Sequence, residues 1–130
     1  MAYIPLGTRW YVGEIVEEVQ VEGADKKVVH RSLILIGAGS PDEAYEKAVR
    51  LGGERESLYL NPQGRKVTIR FAGISELLPI YDDLEDGAEL MFSEEIVELH
   101  KDVRRAIIPK SELGVFRDAR KLPETLDYGG

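Results

Sequence analysis

Leu33-Ile34-Leu35-Ile36 is an apolar run that passes through Gly37-Ala38-Gly39 directly into a segment marked as helical at both ends. Ser40 is a capping residue type, Pro41 suits the first helical position, Glu43 completes a capping box, and Gly52-Gly53 supplies a stop. This junction constrains the fold more than any other feature, because a strand must deliver the chain into a helix from Ser40 to Leu51. Ala44, Ala48 and Leu51 share one helical face, with Tyr45 and Val49 beside it, and small alanines on that face fit a helix lying close against a sheet. It is a fold element without a chemistry of its own.

The segment before it, residues 8–21 (TRWYVGEIVEEVQV), is rich in aromatic and β-branched residues and alternates through Glu18, Val19, Gln20 and Val21. It reads as a long strand, with both faces apolar around Trp10, Tyr11 and Val12, which places that end inside the sheet. Residues 22–27 form a polar turn, and Val28 to Ile36 returns as the second strand of an antiparallel hairpin. A second hairpin follows: Leu58-Tyr59-Leu60, the turn Asn61-Pro62-Gln63-Gly64, and Val67 to Phe71. There Val67, Ile69 and Phe71 should face the core, and Lys66, Thr68 and Arg70 away from it.

Two further extended runs, Glu76 to Tyr81 and Ala88 to Phe92, flank an acidic turn, and Pro79 restricts the first of them to an edge strand. Ser93 with Glu94-Glu95, and Ser111 with Glu112, are start signals for short helices; residues 117–130 read as a loosely ordered tail. The fold class expected is α+β: a mainly antiparallel, twisted sheet of about five strands, with the Ser40 to Leu51 helix packed on one face. A more curled, barrel-like sheet is the runner-up. Residues 1–116 should form one domain.

Composition removes several classes of function. No apolar run approaches the ~20 residues that cross a bilayer, and Met1-Ala2-Tyr3-Ile4-Pro5 lacks the basic start and apolar stretch of a secretory signal. The chain has no Cys, which excludes disulfides, thiol nucleophiles and thiolate metal sites and makes a cytoplasmic location the expectation. A formal net charge of −7 argues against nucleic-acid binding, and the basic group Lys101, Arg104, Arg105 and Lys110 has no interleaved aromatics to stack on bases.

Motifs that resemble chemistry fail on inspection. Gly37-Ala38-Gly39 lies where a dinucleotide loop would, yet Asp42 holds the third glycine position, Pro41 removes an N–H donor, and Glu43 adds negative charge where phosphate would sit. Gly73-Ile74-Ser75-Glu76-Leu77 has half of a nucleophile elbow, with Leu77 in place of the second glycine. His30 reads as a structural or surface residue in a strand, and His100 lies in an irregular segment with no partner set for catalysis. Asp82, Asp83, Glu85 and Asp86 before Gly87 suggest a calcium loop, but a middle ligand falls on Leu84 and the twelfth position on Ser93. No catalytic residue, metal ligand or cofactor site is expected.

One charged feature remains. Asp82, Asp83, Glu85, Asp86, Glu89, Glu94, Glu95 and Glu98 follow one another with no Lys or Arg between them, which creates a local negative field. The plain reading is a solvated turn in an acidic protein; the functional one is a docking surface for a basic protein partner. The expected function is therefore a non-enzymatic protein-interaction module. The alternative is an enzyme or small-ligand binder with a pocket between helix and sheet near Trp10 and Tyr45. Trp10, Tyr11, Tyr45, Tyr59 and Phe71 otherwise read as core aromatics. Self-association into a homodimer, through an edge strand or an uncovered sheet face, is also expected.

Trp10-Tyr11-Val12, Ala38 to Ala48 (AGSPDEAYEKA), Val67 to Ile74 (VTIRFAGI) and Leu84 to Leu90 (LEDGAEL) together resemble a bacterial family, domain of unknown function 4288. The resemblance covers Trp10 to Phe92. It implies a small bacterial α+β domain with no established activity, and it assigns no residue a role; His100 to Gly130 lies outside it.

Overall fold

A computed structural model of the chain describes residues 9–117, so all but the first residue of the tail expected over 117–130 lies outside the described residues. Four strands, β1 (Trp10–Val21), β2 (Val28–Gly37), β3 (Ser57–Leu60) and β4 (Lys66–Pro79), form one antiparallel sheet in the order β2-β1-β4-β3. A single α-helix among the described residues, α1 (Pro41–Glu54), packs on one face. The α+β architecture and the strand-strand-helix opening agree with the sequence, whereas the strand count does not.

Of the six extended runs expected, two merge and one does not form. Val67 to Phe71 and Glu76 to Pro79 are continuous in β4, and Ala88 to Phe92 is not a strand. The register of β4 on β1 slips twice, leaving Ser75 and Ala72 as extra residues, and Gly73 between them takes φ 153°, a conformation that favours glycine. Two extra residues restore the alternation, so Val67, Ile69, Phe71, Ile74 and Leu77 all face the helix side. Pro79 does keep its run at an edge, as expected, because β3 pairs with β4 only from Lys66 to Ile69. Ile80 donates to the Trp10 carbonyl at 2.9 Å, which turns the Pro79 nitrogen outward, beyond the reach of β3, where no donor is needed.

The helix start forms as the sequence signals it. Ser40 Oγ accepts from the Glu43 N–H at 3.1 Å, and Glu43 Oε2 accepts from the Gly39 N–H at 3.0 Å. Such a cap contributes about 1 kcal/mol. Ala44 and Ala48 are fully buried in a cluster with Tyr11 and Ile36, around which Ile34, Leu51, Ile74 and Leu77 pack. A second cluster of Val19, Val21 and Val67, with Val28, Tyr59 and Ile69, continues the same sheet face past the helix end.

The helix stop differs from expectation, since α1 runs through Gly52-Gly53 to Glu54. Gly52 serves close approach instead: a Cβ there would fall 2.4 Å from Phe71 Cε1, while one on Gly53 would meet nothing within 4 Å. Adjacent glycines should therefore respond with opposite signs. Gly53→Ala is expected to raise stability by up to about 1 kcal/mol through helix propensity. Gly52→Ala should lower it by about 1–2 kcal/mol, because overpacking against the Phe71 ring exceeds the same gain. Urea melts of the two variants check the contrast.

The aromatic core is smaller than the sequence implied. Tyr11 is buried, and Tyr59 and Phe71 are partly buried, but Trp10 is 41% and Tyr45 56% exposed. Trp10 precedes inward-facing Tyr11, so the pleat sends it to the opposite face, where its ring covers Gly37. Beyond β4 the described chain is an arm of turns and irregular backbone, with short 3-10 turns at Val103–Ala106, Lys110–Glu112 and Gly114–Phe116. The helix expected from Ser93 does not form: Ile96 is fully exposed, with no surface on which to bury an apolar stripe.

Candidate functional site

A polar cluster that sequence reasoning missed lies where the helix ends over the sheet. Glu17 of β1 is only 3% exposed. Arg55, just after α1, donates from Nη2 to Glu17 Oε1 at 3.1 Å and from Nε to Oε2 at 3.4 Å, and the same Nη2 also reaches Ser32 Oγ at 3.1 Å. His30 Nδ1 stands 3.9 Å from Glu17 Oε1. The signal was present in the alternation, because Glu17 shares its parity with Ile15 and Val19 and is thereby directed inward. Its carboxylate is engaged by a guanidinium, and Ser32 Oγ accepts from that same group. The arrangement ties the end of α1 to the middle of the sheet.

The acidic residues foreseen from the sequence lie on the arm and are all exposed. Asp82 Oδ2 accepts from the Glu89 N–H at 2.9 Å, which closes the loop between them and brings these two positions together. Asp83, Glu85, Asp86, Glu94, Glu95 and Glu98 are spread along the chain, and no group of three His, Asp or Glu among the described residues is placed to hold a metal ion. None of the eight carboxylates forms an ion pair with Lys or Arg among the described residues. Among the described residues their field is therefore extended and without a paired Lys or Arg.

Exposed apolar side chains are interleaved with those charges: Leu84, Leu90, Phe92 and Ile96. Leu90 and Phe92 line a cleft of about 270 Å³ with Leu78 and Tyr81, where the arm folds back beside the end of β4. A wider hollow of about 710 Å³ is edged by Glu95, His100, Lys101, Asp102 and Arg105 farther along. There Asp102 caps the 3-10 turn at Val103–Ala106. The Arg104 side chain, and then the Arg104 N–H, hold the Asp102 carboxyl below its usual range, and the same pairing raises Arg104. Of the basic group, Arg104 is thus paired, and Lys110 sits over the Phe116 ring, 5.5 Å from its centroid.

The resemblances to catalytic motifs dissolve in the fold. Ser75, from the half elbow, is a bulge residue inside β4 that donates to Glu14 Oε1. Gly37-Ala38-Gly39 is filled by the protein itself: Lys47 Nζ donates to the Gly37 carbonyl at 2.8 Å, and Glu43 occupies the Gly39 N–H. Trp10 and Tyr45 are not brought together, because strand alternation puts Trp10 on the sheet face opposite the helix that carries Tyr45. No helix among the described residues is long and apolar enough to cross a membrane.

No curated protein and no solved structure matches this chain. A family model does, from the first residue of β1 through the cleft at Phe92, taking in the whole sheet, α1 and the first five of the eight acidic positions. With residues 10–92 matched, the chain belongs to the family described as domain of unknown function DUF4288.

Proposed function

We propose that this protein is a non-enzymatic, cytoplasmic interaction module that presents residues 82–98 to a basic protein surface. The observation that supports it is the run of eight carboxylates, none paired with Lys or Arg among the described residues, with Leu84, Leu90, Phe92 and Ile96 exposed among them. Charge steers the encounter, and desolvated apolar anchors then hold it. A solvated turn accounts for the carboxylates but gives no reason for large apolar side chains standing beside them in water. The alternative of an enzyme or small-ligand binder has less support, since Trp10 and Tyr45 lie on opposite sides of the sheet.

The test uses the partner recovered by affinity capture from the native cell and identified by mass spectrometry. Asp83→Lys, Glu85→Lys and Asp86→Lys combined should weaken its association by at least about 10-fold at low salt, with the loss shrinking as ionic strength rises. Titration calorimetry at two salt concentrations reads both effects. Equal affinity for the wild type and the triple variant rejects this surface.

A further inference from the structure

The helix covers one face of the sheet only. Alternation sends Trp10 of β1, Val29, Leu33 and Leu35 of β2, and Leu58 and Leu60 of β3 to the other, where they are between 41% and 68% exposed. Six large side chains at that exposure total on the order of several hundred Å² of apolar surface, set in two groups, Trp10, Val29, Leu33 and Leu35 on β1 and β2 and Leu58 and Leu60 on β3, with Glu18, Gln20, Thr68 and Arg70 between them. The adjoining edge is undefended as well. Strand β2 runs for 10 residues without a proline, and its register on β1 is unbroken, so of the devices that keep edges apart it has neither proline nor bulge.

Charge and size select the occupant. On these strands Glu14, Glu18 and Glu76 share the open face with Arg31, Lys66 and Arg70, and Arg31 Nη1 lies 3.8 Å from Glu14 Oε1. The face is thus balanced within a chain of net charge −7. A strongly basic or strongly acidic partner gains little from such a mixture, whereas a second copy meets its own complement across a two-fold axis. With ~3.3 Å per residue and ~4.8 Å between strands, the face measures on the order of 600–800 Å². A stable dimer needs about 800 Å² from each partner.

We propose that two copies of this chain pack open face against open face in a two-fold dimer. One corner of that face is taken by the arm, since Leu78, paired with Val12 on the open side, lines the cleft with Leu90 and Phe92; the rest of the face makes the contact, and one dimer carries two acidic arms. Neither reading depends on the other.

Sedimentation velocity on the full chain, from micromolar to millimolar concentration, tests the proposal. The wild type should sediment as a dimer. Leu33→Glu with Leu35→Glu should raise the dimer dissociation constant by at least about 100-fold, because two charges would be buried in place of two apolar anchors. Leu58→Glu, at the other edge of the face, gives an independent reading should the first pair disturb β2, with circular dichroism as the check on folding. Ile96→Glu with Leu99→Glu, and the Asp83, Glu85 and Asp86 reversals, should leave the dimer intact. A monomeric wild type at millimolar concentration overturns the proposal, as does a dimer unmoved by both sheet variants. Dissociation by the Ile96 and Leu99 variant overturns it too, since the arm would then be the occupant.

Discussion

Arg55→Met is expected to lower the free energy of unfolding by about 2–3 kcal/mol, because it strips the partner from a carboxylate held inside the sheet. Glu17 is 3% exposed and receives two hydrogen bonds from this one guanidinium. Methionine keeps much of the aliphatic stem, so the loss reports the charge more than the packing. For a fully buried pair the cost would be about 3–5 kcal/mol; here the Arg55 side chain is 39% exposed, and water admitted at its place offsets part of it. Chemical denaturation reads the value directly, and a thermal midpoint should fall by about 10 °C or more. Replacing both residues, Glu17→Leu with Arg55→Leu, should recover most of the loss, since an apolar pair leaves no stranded charge. A single-variant cost below about 0.5 kcal/mol would show that the pair behaves as an ordinary surface ion pair, and the tie between α1 and the sheet would lose its significance.

Ile36→Ala should cost about 3–4 kcal/mol, near the upper part of the range for such truncations. Ile36 is fully buried among Tyr11, Ala44 and Ala48, and its Cδ1 lies over Gly13, 2.8 Å from where a Cβ on that glycine would stand. Two alanines and a glycine cannot lean in to refill the space, so the cavity persists. The same geometry predicts a favourable coupling. Ile36→Val, which lacks Cδ1, should cost about 1 kcal/mol. Gly13→Ala alone should cost about 1–2 kcal/mol by overpacking. Together they should cost clearly less than their sum, because the methyl added by one occupies the space vacated by the other. Strict additivity in urea titrations would mean that Gly13 and Ile36 do not share that space.

Legibility in the sequence followed the range of the interaction. The cap at Ser40 and the alternation of Glu18 to Val21 and of Val67 to Phe71 are local patterns, and each appears where it was expected. The unity of β4 was hidden, because inward residues at 67, 69, 71, 74 and 77 break the period of two at both bulges. A chain scanned for strict alternation splits there, and only pairing with β1 shows that the strand continues. Gly52-Gly53 was misread for a similar reason: glycine signals a helix stop locally, but Phe71, brought from β4, uses Gly52 for contact. The acidic run was plain in the sequence; the apolar side chains exposed within it were not, since a short apolar stretch looks like core until there is no core beside it.

The sequence by itself determined the hairpin that leads into a capped helix, the inward and outward residues of the regular strands, and the one-signed charge of residues 82–98. These depend on hydrogen bonds and periodicities within a few residues of one another. Tertiary structure alone decided that four strands rather than five close the sheet, that Glu17 is buried on Arg55, and that one apolar sheet face is left open. Each of those outcomes depends on which distant segment arrives alongside, and no local pattern carries that information.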